Sequence, residues 1–336
     1  MIQLSVAMPE LLLWGGLGFL AVATLLFALS ACPIVGYILY VILLKRNKPD
    51  KWGRECSANE PLHQTMYAEG MAWREARADR IREVHIVNDG LNLYGEYADL
   101  GYDRAVIMIP GRTESLGYGY YFAKAYAACG YNILTIDQRA HGNSDGTYNT
   151  VGFEEHKDVL AWAAYLHEEL GMDSVLLHGI CIGSSCALFA LTSRDCPDYM
   201  SGMVAEGMYP TFYDSFKNHM IDLKKPTFPF MDLVCFWMKV FTGHNMKHGP
   251  IHVIGSLRKP ILMIHSKEDR YSLPEKAQEL YDLCGSERKT LVWFEKGAHS
   301  KLRITDTDRY DGAITQFLTE NFAKEVEKAE TEKTPS

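Results

Sequence analysis

The chain has 336 residues, and its content of 47% hydrophobic and 23% charged residues is typical of a folded globular protein and excludes a mostly disordered chain. A formal net charge of −8 at pH 7 argues against nucleic acid as a partner, because proteins that bind nucleic acids carry strongly basic surfaces. The eight cysteines include no C-x-x-C pair, so we interpret them as reduced thiols of an intracellular protein.

The first predicted element is a transmembrane helix within residues 1–44. Residues 11–44 contain no charged side chain, and an α-helix needs only about 20 residues to cross a bilayer. No Lys or Arg precedes this run, which is also too long for a cleavable signal peptide. Five basic residues follow at positions 45–54, so the positive-inside rule predicts a single-pass membrane protein whose large domain is cytoplasmic. Two alternatives remain open, namely lipidation at Cys32 and a re-entrant hairpin broken near Pro33.

A polar juxtamembrane segment is predicted over residues 45–81, followed by a globular domain over residues 82–322. The domain begins with a hairpin, since the stretch REVHIVNDGLNLYGEY alternates apolar and polar residues around a turn at 88–90. After the hairpin, continuous apolar runs typical of buried strands alternate with helical patterns. This alternation predicts an α/β fold in which a mostly parallel central sheet carries helices on both faces. The predicted buried strands are AVIMIP (105–110), YNILTID (131–137), SVLLHG (174–179), GMVAEG (202–207), PILMIHS (260–266) and TLVWFE (290–295).

The interval over residues 210–258 is too long for a loop between a strand and a helix, and we interpret it as a small inserted cap. Phe212, Phe216 and Trp237 in this interval are candidates for lining an acyl pocket, although apolar residues equally suit the core of a cap. Beside a membrane anchor, such a pocket suits a small acyl substrate, with a lipid as one candidate. Residues 323–336 are predicted to form a charged C-terminal tail.

The sequence GICIG follows the predicted strand SVLLHG and precedes a helical pattern. The central residue of such a strand–turn–helix, framed by glycines two positions away on each side, is exposed at the end of the sheet beside a helix N-terminus. Here that residue is Cys181, whose thiolate would be favoured by the helix N-terminus and by a nearby imidazolium. Asp269 follows the strand PILMIHS and His299 follows TLVWFE, so both are expected at the same edge of the sheet.

The chain order of nucleophile, Asp and His resembles the α/β-hydrolase superfamily, and the resemblance extends over about residues 82–322. It is carried by Pro110-Gly111, by DQRAHGNSDG from Asp137, and by the stretches GICIG, HSKEDRYSLP and GAHS. The chain looks most similar to the membrane-anchored, small-cap branch of serine aminopeptidase-like and acylglycerol-lipase-like hydrolases. Cysteine at the nucleophile position resembles the dienelactone-hydrolase variant of the fold.

The resemblance implies a catalytic role for each matching position. Cys181 is the implied nucleophile, His299 the base, and Asp269 the carboxylate that orients the base. The backbone N–H groups of Ile182 and Arg112 are the implied oxyanion hole. No metal and no cofactor are implied.

These residues lead us to expect a hydrolase that cleaves an ester, thioester or related acyl bond through an acyl-cysteine intermediate. A thiolate is a strong nucleophile but also a good leaving group, which favours activated esters and thioesters over amides. Glu206, which ends the strand GMVAEG under the cap, is a further candidate for substrate contact. Two alternatives remain: an acyltransferase that uses the same site, and a catalytically inactive binding protein with this fold.

Overall fold

The computed structural model describes residues 4–53 and 60–331. Within these ranges the chain forms one eight-stranded sheet with helices on both faces, preceded by a long N-terminal helix. The strands are β1 (Ile81–Asn88), β2 (Leu91–Ala98), β3 (Arg104–Ile109), β4 (Asn132–Ile136), β5 (Ser174–Ile180), β6 (Met200–Glu206), β7 (Ile261–Ser266) and β8 (Lys289–Phe294). The α-helices are α1 (Leu4–Leu44), α2 (Pro61–Glu75), α3 (Leu116–Gly119), α4 (Ala123–Ala128), α5 (Glu155–Ala164), α6 (Ile182–Thr192), α7 (Phe212–Asp222), α8 (Phe230–Thr242), α9 (Pro274–Leu283), α10 (Leu302–Thr305) and α11 (Thr307–Thr331).

The strands lie in the order β1-β2-β4-β3-β5-β6-β7-β8. Strands β3 to β8 run parallel, whereas β1 and β2 form an antiparallel hairpin at one edge. The hairpin turns at Asp89 and Gly90, whose φ angles of 50° and 74° are those of the type I′ turn that an Asp-Gly pair favours. Strand β5 lies near the middle of the sheet, so the turn that follows it is surrounded by the loops of neighbouring strands.

Alternate side chains of β3 belong to two apolar cores, one on each face of the sheet. Ala105, Ile107 and Ile109 pack with residues of α5 and α6. Val106 and Met108 pack with residues of α4 and α11 on the opposite face. All five side chains are buried, which explains why this strand is continuously apolar in the sequence. The predicted α/β architecture with helices on both faces is therefore confirmed.

A third apolar cluster joins the cap to the C-terminal end of α1. The cap consists of α7 and α8, which lie in the chain between β6 and β7. Tyr40 and Leu44 of α1 are fully buried in this cluster, together with Met231, Val234 and Met238 of α8. The last turns of α1 are therefore part of the folded domain.

Two close contacts show how tightly α1 and α8 are packed. A Cβ atom added at Gly36 would lie 2.4 Å from Cβ of Leu233, so glycine permits the helices to approach at this point. The indole N–H of Trp237 donates a hydrogen bond of 2.9 Å to the carbonyl oxygen of Pro33. Pro33 lies inside α1 and does not end it. By length and composition, residues Leu13–Leu44 of this helix are sufficient to cross a membrane.

Some predicted boundaries differ from those of the structure. The helix predicted over residues 153–170 is α5 followed by a π turn at Tyr165–Glu169. Helix α11 is kinked at Phe322, where the backbone is not helical, and its second segment continues to Thr331, through most of the predicted tail. Residues 332–336 of that tail lie outside the described part of the chain. Arg54, one of the five basic residues that follow the apolar run, also lies outside it.

Candidate active site

The turn between β5 and α6 holds Cys181 in a strained backbone conformation. Its φ of 54° and ψ of −111° lie in a region that non-glycine residues rarely adopt. The flanking glycines are required sterically, because a Cβ atom at Gly179 would lie 2.4 Å from the carbonyl carbon of Gly183. A Cβ atom at Gly183 would lie 2.1 Å from the carbonyl oxygen of Ile109 in β3. These two glycines, which we call the glycine frame, therefore let three backbone segments come together at the turn that carries the Cys181 thiol.

The two backbone segments expected to form the oxyanion hole lie beside this turn. Ile182 is the first residue of α6, so its N–H precedes the hydrogen-bond ladder of the helix and lies at the positive end of the helix dipole. Arg112 follows Gly111 in the loop after β3, which hydrogen bonds hold in place. The N–H of Gly111 donates to the Glu114 carboxylate at 2.9 Å, and Nε2 of His141 lies 2.6 Å from the carbonyl oxygen of Arg112.

Asp269 and His299 form a hydrogen-bonded pair. The distance between Nδ1 of His299 and Oδ2 of Asp269 is 2.7 Å. The other carboxylate oxygen of Asp269 accepts hydrogen bonds of 2.8 Å from the backbone N–H groups of Tyr271 and Ser272. Burial alone would raise the pKa of Asp269, but the positive charge of His299 and these hydrogen bonds lower it below its usual range. Asp269 is therefore ionised and holds one imidazole nitrogen in place.

The second nitrogen of His299 is available for chemistry. Nε2 is buried and makes no hydrogen bond to Cys181 or to any other residue in the described part of the chain. Burial alone would lower the pKa of His299, but the charges of Asp269 and of a Cys181 thiolate raise it well above its usual value. The arrangement therefore favours an imidazolium at His299 when Cys181 is a thiolate.

Cys181 and His299 line the same cavity, which has a volume of about 290 Å³. The remaining walls come from the loop after β3, from α7 of the cap, from the loops after β7 and β8, and from the start of α2. The lining residues are Glu60, His63, Gly111, Arg112, Thr113, Glu114, Cys181, Phe212, Ser215, Phe216, His219, Tyr271, His299, Ser300 and Lys301.

One wall of the cavity carries a chain of contacting ionisable side chains that no sequence pattern predicted. Lys301 donates a hydrogen bond to Glu60, and Nδ1 of His63 lies 3.2 Å from the same carboxylate. Nε2 of His63 lies 3.3 Å from the Glu114 carboxylate. Glu60 and His63 belong to the segment expected to be a juxtamembrane linker, and no local pattern in the sequence links that segment to the loop after β8.

The four residues that the sequence predicts to contact the substrate divide into two pairs. Phe212 and Phe216 lie on the cavity wall, where their rings stack 6.1 Å apart. Trp237 is not a lining residue, because it packs against α1, with its ring 5.3 Å from that of Tyr37. Glu206 is not one either. It is fully buried beneath the site, so neither Trp237 nor Glu206 lines the cavity in which a substrate contact was expected.

The carboxylate of Glu206 supports the loop that carries the base. One oxygen accepts a hydrogen bond of 3.0 Å from the N–H of Leu302, three residues after His299. The other accepts a hydrogen bond of 2.7 Å from the hydroxyl of Tyr310. Burial raises the pKa of Glu206 to about 7, against the opposing effect of these hydrogen bonds and of the His299 charge.

Comparison with curated proteins finds distant relatives of this chain. The uncharacterized protein YqkD of Bacillus subtilis is 24% identical over 216 residues, which cover 63% of this chain and 70% of that protein. Lysophosphatidylserine lipase ABHD12 of Danio rerio is 20% identical over 168 residues. The match covers 49% of this chain and 42% of the Danio rerio protein, so the chain spans well under half the length of that relative.

Comparison with solved structures and family models identifies the fold. The Pyrococcus furiosus esterase Pf2001 superposes with a TM-score of 0.62 at 21% identity, covering 74% of this chain and 93% of that chain. The meta-cleavage product hydrolase CumD of Pseudomonas fluorescens superposes with a TM-score of 0.52 at 17% identity, covering 70% and 97% of the two chains. The family model described as alpha/beta hydrolase fold matches residues 104–227. These matches, together with the strained turn after β5, show that the chain has the α/β-hydrolase fold.

Proposed function

We propose that the protein is a membrane-anchored hydrolase that cleaves an ester, thioester or related acyl bond through an acyl-Cys181 intermediate. The observation that carries the proposal is the 2.7 Å hydrogen bond between Asp269 and His299, next to the cavity that Cys181 lines. The fold supports it, because this chain has the sheet and turn on which α/β-hydrolases display a nucleophile.

The first half of the proposed reaction forms the acyl-enzyme. The Cys181 thiolate attacks the acyl carbon, and the carbonyl oxygen becomes an oxyanion that the N–H groups of Ile182 and Arg112 stabilise. When the tetrahedral intermediate collapses, the bond to the leaving group breaks. The departing alcohol or thiol takes a proton from Nε2 of the His299 imidazolium, while Asp269 keeps the ring oriented.

The second half releases the acid. A water molecule loses a proton to Nε2 of His299 as it attacks the thioester carbon, and the second tetrahedral intermediate expels the Cys181 thiolate. The products are a carboxylic acid and the original thiolate–imidazolium pair. Because the thiolate is itself a good leaving group, thioesters and activated esters are the proposed substrates, and amides are disfavoured.

We also place the protein at a membrane, through α1. Residues Leu13–Leu44 form about 48 Å of helix at 1.5 Å per residue, whereas the hydrocarbon core of a bilayer is about 30 Å thick. The excess of about 12 residues corresponds to the segment from Pro33 to Leu44, which packs on the cap. The preceding residues expose large apolar side chains, such as Phe19 (76% exposed) and Phe27 (72% exposed).

The cap adds an apolar surface next to this helix. Phe228 and Phe236 are 79% and 53% exposed, and Val240 is 55% exposed on the same helix as Phe236. Since α8 packs on the part of α1 that emerges from the proposed span, this surface would enter the bilayer interface. An acyl substrate partitioned into the membrane would then lie close to the catalytic cavity.

The experiment that tests the mechanism is intact-mass analysis of the full chain after incubation with a panel of acyl esters and thioesters. Wild type is expected to gain one acyl group, and Cys181→Ala is expected to gain none and to lose turnover by at least about 10³-fold. Cys129→Ser is the matched control, because Cys129 is also partly exposed but lies on another face of the domain, beside Thr315. Unimpaired turnover in Cys181→Ala would rule out the mechanism.

Two further measurements separate the alternatives. Product analysis in the presence of a competing amine or alcohol distinguishes hydrolysis from acyl transfer, since a transferase yields the amide or ester in preference to the acid. A catalytically inactive binding protein would show neither acylation of Cys181 nor turnover with any member of the panel.

A further inference from the structure

The Arg112 side chain is the charged group in the cavity that lacks a charged partner. The other basic side chain of the wall, Lys301, is paired with Glu60. The second acidic side chain, Glu114, lies beside His63 and accepts the N–H of Gly111. Within the described ranges, no carboxylate lies within ion-pair distance of Arg112, whose guanidinium makes a single hydrogen bond, of 3.2 Å, to a backbone carbonyl oxygen.

That single hydrogen bond links Arg112 to the end of α1. The acceptor is the carbonyl oxygen of Leu43, in the last turn of the helix. Lys51 binds neighbouring carbonyl oxygens of the same turn, those of Val41 and Ile42, at 2.7 and 2.8 Å. The helix end is therefore capped by an independent cation, and most of the guanidinium of Arg112 remains available to a ligand.

The charge of Arg112 acts on two nearby basic groups. Burial and the charge of Arg112 lower the pKa of Lys51 to about 8. Burial and the same charge lower the pKa of His219, which lies across the cavity on α7. Burial lowers the pKa of Arg112 itself, and the negative charges of Cys181 and Tyr209 oppose this effect. An anion that entered the cavity would meet a cation that no protein carboxylate neutralises.

We infer that the Arg112 side chain forms an anion-binding subsite, so that the substrates of the proposed hydrolase carry a carboxylate or phosphate close to the scissile acyl bond. This inference rests on the proposed function and names its substrate class. A guanidinium binds both anions through paired N–H donors, which makes either group a suitable ligand. Since Arg112 and Cys181 line the same cavity, the anion and the acyl carbonyl would be separated by a few bonds.

The test compares alkylation of Cys181 by two reagents that differ in charge. Iodoacetate is anionic and iodoacetamide is neutral, and each transfers its carbon to sulfur with loss of iodide. The rate ratio of the two reagents at Cys181, divided by the same ratio for glutathione, measures attraction of the anion and needs no turnover. We expect this normalised ratio to exceed one in wild type and to fall about tenfold to a hundredfold in Arg112→Gln.

Two variants complete the alkylation experiment. Arg112→Lys should retain part of the preference, because it keeps the charge and loses the paired donors. Lys276→Gln removes an exposed cation that is ion-paired with Glu279 on α9, outside the cavity, and its ratio should stay within about threefold of wild type. If Arg112→Gln slows alkylation of Cys181 by both reagents equally, the guanidinium affects only the reactivity of the thiolate and the inference is wrong. Thermal melting of each variant shows that the fold is retained.

Substrate pairs then identify the source of the anion. One pair is a short soluble thioester with a free carboxylate and its methyl-esterified analogue. The other pair is an anionic lysophospholipid and the monoacylglycerol of equal acyl chain, which lacks the phosphate. A preference for the anionic member supports the inference if Arg112→Gln abolishes it. A preference in the lipid pair identifies the anion as a lipid headgroup, and a preference in the soluble pair identifies it as the carboxylate of a soluble acid. Turnover without any preference in either pair overturns the inference while the proposed function stands.

Discussion

The turn after β5 and the junction between the cap and α1 are both close-packed, but they are assembled from different interactions. At the turn, backbone atoms of residues near in sequence or on adjacent strands exclude any side chain at Gly179 and Gly183. At the junction, residues 204 positions apart in the chain meet, as in the hydrogen bond from the Trp237 indole to the backbone carbonyl oxygen of Pro33. The first kind of packing leaves a mark in the local sequence, and the second does not.

The two regions also differ in what they expose. The strands around the turn are buried on both faces, whereas the cap leaves Phe228 and Phe236 largely accessible. A catalytic centre requires fixed positions, which backbone packing provides. A surface that meets a substrate source requires accessible apolar groups. This contrast between a rigid centre and an accessible cap leads to four testable predictions.

The largest effect is expected at the centre, from Asp269→Asn. The negative charge of Asp269 raises the pKa of His299, so its loss lowers that pKa and the imidazolium loses its proton at a lower pH. We expect kcat/KM to fall about 10²- to 10⁴-fold and the alkaline limb of its pH profile to move to lower pH. A pH–rate series measures both. As a control, Asp232→Asn in the cap removes an exposed carboxylate paired with Lys247 and should alter neither quantity.

Gly183→Ala tests the rigidity of the turn directly. The added Cβ atom would lie 2.1 Å from the carbonyl oxygen of Ile109, so the backbone has to shift. We expect the free energy of unfolding to fall by about 3 kcal/mol in denaturant titrations. Gly312→Ala is the matched control, because no atom lies within 4 Å of its added Cβ and it is exposed in a helix. That substitution should stabilise the protein by about 0.5–1 kcal/mol. Equal stability of the two variants would contradict the steric account.

Glu206→Gln probes the support beneath the base. The carboxyl group has an ordinary pKa of 4.5 and a pKa of about 7 in the folded protein, so the folded state binds an additional proton between these values. Its contribution to stability is therefore lost as the pH rises from about 4.5 through 7, by about 3 kcal/mol in total. Removing the titrating group should flatten the pH dependence of the unfolding free energy in this window. An unchanged pH dependence would show that Glu206 is ionised in the folded protein throughout.

The smallest effect is expected in the cap, from Phe236→Asp. This change places a charge on the exposed surface proposed to enter the bilayer interface. Turnover of a bilayer-embedded acyl ester should fall about three- to tenfold relative to turnover of a water-soluble ester. Leu283→Asp is the matched control, since Leu283 is 49% exposed at the end of α9, outside the cap. If both variants equally lower turnover of the bilayer-embedded ester relative to the soluble ester, the exposed surface of the cap makes no specific contact with the membrane.

The sequence predicted most of the fold because its patterns are local. The buried strand AVIMIP and the hairpin at Asp89-Gly90 follow from short-range periodicity and turn preference, and both occur in the structure. The glycine frame around Cys181 and the order of Asp269 and His299 predicted which loops carry the site, because parallel strands bring their carboxyl ends to one edge.

Other parts of the site follow from tertiary contacts that no local pattern encodes. Glu60 and His63 reach the cavity only because α2 packs beside the loop after β8. Glu206 ends a strand at the correct edge, yet its side chain points to Tyr310 and away from the cavity. Trp237 is an aromatic residue of the kind that lines acyl pockets, but its side chain packs against α1 instead. In each case the packing partner is distant in sequence.

The packing of α1 against the cap determines where the chain can be shortened. A protein begun at residue 45, immediately after the apolar run, would lack Tyr40 and Leu44 and would leave one side of α8 uncovered. A protein begun near residue 30 would keep the interface that includes Pro33, Gly36 and Tyr40, and would discard exposed apolar side chains such as Phe19 and Phe27. A soluble version of the enzyme is therefore better sought by trimming within the apolar run than by deleting it.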